Sequence, residues 1–491
     1  MATRWVNRLV EQRAPQAPGV DGQVLHHVFD AIRAELAVPA EFPPEVLAEA
    51  SEAVAHPRLP ERDETALAFF TVDPAGSKDL DQAMFLERTQ TGYRVRYAIA
   101  DVPSWVVAGG AIDRETRRRG QTIYAPDRST PLHPETLSED AASLLPGEAR
   151  PAFVWDLRLD ADGQGLAADV YRAMVRSVER MDYEGVQAAV DGGTDDERLL
   201  LLREVGERRI ALEQARGGAN LPMPEQEVTM QDGRYLVGFR PPVPAEDWNA
   251  QISLMTGMAA AEMMLRARVG ILRTMPEPEG GTVAQFRRQA RALGVTWPEG
   301  TRYGEFLRSL DRTDPRHLAL IHEATVLFRG AGYTPFDGQL PEQTGHAAVA
   351  AAYAHVTAPL RRLVDRFGLV ICEALCRGAE VPAWVRESLP TLPEVMARSD
   401  RQAAAVDRAA TDAVEVASLQ HLVGETFRAV VVDSRKDGGL IQIAEPAILA
   451  PVAGAAPAGS EVTARLVEAD LARRVLRFEL VSVDVSGASS T

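Results

Sequence analysis

The sequence predicts an α+β multidomain chain: a helical amino-terminal module, a mixed α+β central region and a small all-β barrel at the carboxyl end. Three observations predict it. Apolar residues recur at helical spacing before about residue 62, alternate at strand spacing from about 63 to 180, and return to helical spacing up to about 422. Short alternating runs then close the chain. Its 491 residues suffice for two to four domains. A hydrophobic content of 46% beside 25% charged residues is ordinary for a soluble globular protein.

Residues 1–62 hold one helical pattern over Gln23–Ile32 and a second beginning after Pro43-Pro44, where proline suits a first helical turn. His26 and His27 read as packing or surface residues. Strands are predicted at Ala66–Val72, Ala83–Glu87 and Tyr93–Ile99, the last two joined by a turn at Thr91-Gly92. Helices follow at Asp195–Arg216, Asn249–Ala267, His317–Phe328 and Arg361–Cys376. The run Asp113–Arg119 is predicted to be a solvated helix face. At the carboxyl end, Phe427–Val432, Leu440–Ile443 and Val475–Val481 alternate like strands, with Gly438-Gly439 and Gly459 at turns. Five short strands in some sixty residues fit an OB barrel, and residues 485–491 read as a frayed tail.

The formal net charge of −17 argues against a generic basic nucleic-acid binder, yet an internal channel can carry its own sign. Nearly all positive charge is arginine, with only Lys78 and Lys436 as lysines. Arginine suits bidentate phosphate contacts, although a genome-wide codon bias produces the same excess. Cys372 and Cys376, four apart in a predicted helix, share one face and suggest neither a disulfide framework nor a zinc site. No signal peptide and no membrane-spanning run is read, so a cytoplasmic location is expected.

Chemistry concentrates in Thr-Val-Asp-Pro-Ala-Gly-Ser-Lys-Asp-Leu-Asp-Gln, residues 71–82. Asp73, Asp79 and Asp81 crowd three carboxylates into a loop, which is costly unless a cation sits between them; hard divalent ions take such oxygen ligands. An acidic surface turn is the competing account. Further along stand Tyr97–Val102, Gly120–Pro126, Ser143–Pro146 with Arg150, and Ala354–Arg362.

In that order and spacing the set resembles the RNase II/RNB family of hydrolytic 3′-to-5′ exoribonucleases, over roughly residues 63–422. Many members carry paired cold-shock barrels before this region, but residues 1–62 are too short and of the wrong period for them, so a compact helical module of winged-helix kind is expected instead. The resemblance implies an RNB-like catalytic domain at 63–422 and an OB-fold RNA-binding domain at 423–484. Asp73, Asp79 and Asp81 match three of four magnesium-binding aspartates, and Asp81 would also position water. Gln82 stands where the fourth is expected; its neutral carbonyl would ligate weakly or orient water. Arg361 matches the arginine that supports the scissile phosphate; its competing role is a helix-start pair with Asp365. Ala358 and Leu363 depart from that motif, while His355 and Thr357 fit it as local structure. Tyr124 matches a tyrosine that stacks on a base, and Asp407 an acidic residue contacting RNA near its 3′ end. Gln251 lies near another expected acid and is unassigned.

The implied activity is magnesium-dependent, processive hydrolysis of single-stranded RNA, whose 3′ end enters a channel, to nucleoside 5′-monophosphates and a short end product. Neither a membrane nor a stable protein partner is implied. Two rivals remain: a catalytically weakened RNA-binding protein on the same fold, and a phosphotransferase using Asp79-Leu80-Asp81. Gly76-Ser77-Lys78 is a poor end for the buried strand the phosphotransferase would need.

Overall fold

The computed structural model describes residues 20–483 except 222, 224, 232, 233 and 241; the predicted tail lies outside the described residues. Helices α1 (Gly22–Glu35) and α2 (Pro44–Ala55) occur where the periodicity predicts them. They do not pack as a unit. Leu25, Phe29 and Ile32 of α1 join the core of the carboxyl-terminal barrel, whereas Val46 and Ala50 of α2 pack with Val102, Trp105 and Ile112. Helices this short are marginal alone and take their stability from whatever buries their apolar stripe. Fully burying side chains such as Leu25 and Phe29 contributes about 1.5–3 kcal/mol each.

Strands β1 (Phe69–Val72), β2 (Gln82–Thr89), β3 (Gly92–Ala100), β4 (Ala149–Asp160) and β5 (Gly165–Met181) close into a barrel in that order. Closure comes from parallel pairing of β1 with the end of β5, Val72 opposite Met181. Alternation sorts β3. Tyr93, Val95, Tyr97 and Ile99 share a core with Trp155 and with the helices Glu197–Arg216 (α4) and Pro244–Ala267 (α5), while Ala98 packs with Ala83, Ala152 and Ala173.

Helix α3 (Ala111–Arg119) corrects the expectation of a solvated face. Asp113, Glu115, Thr116 and Arg119 are buried. Asp113 accepts from Arg366 at 2.6 Å, Glu115 from Arg119 at 2.8 Å, and the Arg119 guanidinium lies 3.8 Å from the centre of the Phe42 ring. Charges in this run are paired inward, which makes their burial tolerable.

Two long helices frame the rest, α6 (Leu363–Cys376) and α7 (Leu392–Leu419). Arg361 and Arg362 fall in the turn before α6 rather than within the helix. The predicted His317–Phe328 helix is a helix to Glu323 followed by a 3-10 stretch. Cys372 and Cys376 are both free, the first buried and the second exposed.

The carboxyl end forms a second closed barrel from β6 (Thr426–Arg435), β7 (Gly438–Ile443), β8 (Ile448–Ala453), β9 (Glu461–Asp470) and β10 (Val475–Val483), in the order β6-β7-β8-β10-β9. Gly438 and Gly439 open β7 rather than forming the turn itself, pairing with Arg435 and Ser434. Its core is shared with Ala410, Ala413, Val414 and Ala417 of α7, so that helix ties the barrel to the body. No helix among the described residues is long and apolar enough to cross a membrane.

Candidate active site

The carboxylate loop leaves β1 and re-enters the barrel at β2, turning at Gly76 with φ of +85°. Backbone and side-chain bonds pin both ends. Asp73 N–H donates to the Met181 carbonyl at 3.1 Å and Ala100 N–H to the Asp81 carbonyl at 2.9 Å. Ser143 holds the middle: its hydroxyl accepts from Leu80 N–H at 2.9 Å and donates to the Lys78 carbonyl at 2.6 Å. Arg150 in turn donates to the Ser143 carbonyl at 3.3 Å. The Ser143–Arg150 motif thus acts as the loop's brace.

Asp81 is buried, its carboxylate engaged at both oxygens: Leu360 N–H donates to Oδ1 and Arg361 Nε to Oδ2, each at 2.7 Å. Leu360 is fixed from its other side by His133 Nδ1, which lies 3.2 Å from the Leu360 carbonyl and must donate to it. Burial pushes His133 down to about 4, so it serves as a neutral donor. Burial pushes Asp81 up to about 7 and Asp73 up to about 6; Arg361 opposes both shifts. Arg361 therefore pairs with Asp81 and not with Asp365, which is taken by Arg362 at 2.8 and 2.9 Å.

Gln82 departs from its expected role. Its carbonyl accepts from the Tyr97 hydroxyl and its amide donates to the Thr357 carbonyl at 2.7 Å. These bonds tie β2 to the Arg361 turn, while Gln82 also lines a cleft beside Arg361. The carboxylates are likewise less gathered than expected. Among the described residues no three acidic, histidine or cysteine groups surround one point closely enough to hold a metal ion. Asp81 is instead bonded to Arg361 at 2.7 Å. Asp73 Oδ2, by contrast, is buried without a hydrogen-bond partner, and Asp79 lies close enough to raise the Asp73 pKa. Two hard oxygen donors without a cationic hydrogen-bond partner suit a hard divalent cation.

Tyr124 reaches this loop from a distant segment. Thr122 N–H donates to the Arg361 carbonyl at 2.9 Å and Leu363 N–H to the Gly120 carbonyl at 3.0 Å, a bridge that sets Tyr124 beside Arg361. Its hydroxyl donates to Asp79 Oδ2 at 2.7 Å, while half of the residue stays exposed. Tyr124, Arg361, Arg362 and Asp407 line one cleft of about 420 Å³. Arg361 also borders a second, of about 520 Å³, with Gln82, Tyr183, Asn249 and Ser253. Three predicted residues, Tyr124, Arg361 and Asp407, thus share the first cleft, and Arg361 is bonded to Asp81. Gln251 instead donates to Glu213. Asn249 and Ser253 were not singled out by sequence as site residues: their types are ordinary on helices, and only the fold sets Ser253 against Thr357 and Asn249 against Tyr183.

The barrel, the acidic loop and the terminal barrel define a nuclease-type scaffold. The RNB domain matches residues 61–374, and the RNase II-type exonuclease C-terminal S1 domain matches residues 425–481. The chain belongs to the RNB-domain family. Ribonuclease R of Thermotoga maritima is 26% identical over 452 residues, covering 85% of this chain and 62% of that protein. Ribonuclease R of Escherichia coli K12 is 28% identical over 318 residues, covering 61% and 38%. The chain therefore spans less than two thirds of each of these relatives. The structure of Mycoplasma genitalium RNase R in complex with ribose-methylated single-stranded RNA superposes with a TM-score of 0.82 at 20% identity, over 92% of this chain and 78% of that one, a likeness of fold.

Proposed function

We propose that this chain is a cytoplasmic, magnesium-dependent 3′-to-5′ exoribonuclease that hydrolyses single-stranded RNA processively to nucleoside 5′-monophosphates and a short end product. The observation that carries this reading is the meeting of Tyr124, Asp407 and Arg361 at one cleft, with Arg361 bonded to Asp81. The Ribonuclease R names of the relatives and the RNA-bound Mycoplasma structure support it. The same reading assigns residues 63–422 to catalysis and 423–484 to RNA binding.

Each side chain then has a task. Arg361 spends Nε on Asp81 and turns its remaining nitrogens to a phosphate, where preorganised donors stabilise developing charge. Tyr124 offers a half-exposed ring for base stacking, its tilt held by Asp79. Asp407 borders the same cleft and would contact the RNA near its 3′ end. Asp73 and Asp79 would hold a divalent cation, with Asp81 the third carboxylate of the loop. When bound, such an ion supplies Lewis acidity and a water of lowered pKa. The reaction breaks the P–O3′ bond, adds water's hydroxide to phosphorus and leaves its proton on the 3′-oxygen.

A second reading, an RNA-binding protein with weakened catalysis, draws on the committed Gln82 side chain. Yeast Ssd1, described as a pseudonuclease, shares the fold with a TM-score of 0.68. A time course on 5′-labelled single-stranded RNA, with magnesium or EDTA and beside Asp81→Asn, separates the two. Magnesium-dependent shortening to a small end product, lost in the variant, is expected. Intact RNA that is nonetheless retarded on a native gel would establish the second reading and overturn the first.

A further inference from the structure

Away from this site, a cleft of about 610 Å³ opens between strands β4 and β5 and helices α4 and α5. That size lies within the range of small-ligand sites. Leu157, Leu159, Met255, Met258 and Ala259 supply the apolar half of its lining. One cation reaches in from α4: Arg209, which is only 5% exposed.

The bonding of Arg209 is incomplete. Nη1 donates to the Gly163 carbonyl at 3.0 Å, Nη2 lies 3.9 Å from Met258 Sδ, and Nε is buried with no partner. No carboxylate of the described residues forms an ion pair with it. Glu213 is the acid whose field reaches it, but Arg216 opposes that field and Glu213 already accepts from Gln251. At the rim, Glu262 and Arg266 pair with each other at 3.7 Å, leaving Arg209 to set the sign of the cleft. Burial pulls its guanidinium down to about 10. A buried guanidinium with no ion pair, beside a half-apolar lining, is unfavourable as it stands. It matches a ligand with a carboxylate at one end, accepting a charge-assisted N–H bond from Arg209, and an aliphatic body behind.

We propose that this cleft binds a small amphipathic carboxylate, an unbranched aliphatic acid of medium chain length. The head meets Arg209 and the chain lies along Met255, Met258 and Leu159. This assignment is independent of the nuclease reading.

Calorimetric titration of the full chain with octanoate, octanol and octyltrimethylammonium tests it. Octanoate should bind once per chain, octanol at least tenfold more weakly, and the cation not at all. Arg209→Leu should bring octanoate down to the octanol level. Because losing the Gly163 contact can itself disturb the β4–β5 hairpin, Ala259→Trp is the second variant. It fills the cleft, leaves Arg209 in place, and should abolish octanoate binding while melting cooperatively. Equal affinities for octanoate and octanol, absence of saturable binding, or undiminished octanoate binding by Ala259→Trp would each overturn the assignment.

Discussion

At Gln82 a single side-chain exchange replaces a charge with two hydrogen bonds. Tyr97 bonds its carbonyl and Thr357 its amide nitrogen. The cation complement should be correspondingly small: manganese titration followed by electron paramagnetic resonance is expected to count one bound ion per chain. In Gln82→Asp a second should appear and the magnesium needed for half-maximal activity should fall, since a shorter carboxylate cannot span both partners. An unchanged count would mean that position 82 is purely structural. Arg361→Ala should lower turnover by about 10²–10³-fold, with a smaller change in RNA affinity, because a transition-state donor is lost. Single-turnover kinetics beside a binding isotherm would show the split, and an equal loss in both would demote Arg361 to a binding contact.

Elements set the register in which these residues meet. Gly120 ends α3 with φ of +79°, and a β-carbon there would sit 2.6 Å from Ser399 Oγ of α7. The same residue accepts the Leu363 N–H that joins the Tyr124 segment to the Arg361 turn. Gly120→Ala should therefore cost about 1–3 kcal/mol in urea unfolding, through backbone strain and crowding, and should weaken RNA binding through displaced Tyr124. Stability loss without any change in binding would show that the bridge tolerates the shift. Both the strands and the helices near this junction were legible from periodicity. Their pairing was not, because Gly120–Thr122 and Arg361–Leu363 are distant in sequence and carry no mutual pattern.

For the whole molecule, α7 and the terminal barrel are joined over a buried acid. Glu415 accepts from Gln226 and, at 3.2 Å, from Leu449 N–H, and burial pushes it up to about 8. Its ordinary value is 4.5, so the folded chain holds a proton there that the unfolded chain releases. Stability should fall as pH rises from about 4.5 to about 8 and level off above, by at most about 1.4 kcal/mol per pH unit from this group. Thermal melts across that range should show the slope, and Glu415→Gln should flatten it. A slope unaltered in the variant would place the effect elsewhere.

Residue types and spacing by themselves determined the element types, the order of α+β body and terminal barrel, and the acidic loop, because periodicity and local motifs are properties of neighbouring residues; Arg361, Tyr124 and Asp407 stood out only through the family resemblance. The tertiary structure decided the rest: that α1 and α2 pack apart, that the charges of α3 turn inward, that β1 closes on β5, and that Gln82 and Asp81 are already engaged by partners more than 270 residues away. Such contacts depend on which surfaces the folded chain brings together, and a one-dimensional pattern carries no record of who lies opposite whom.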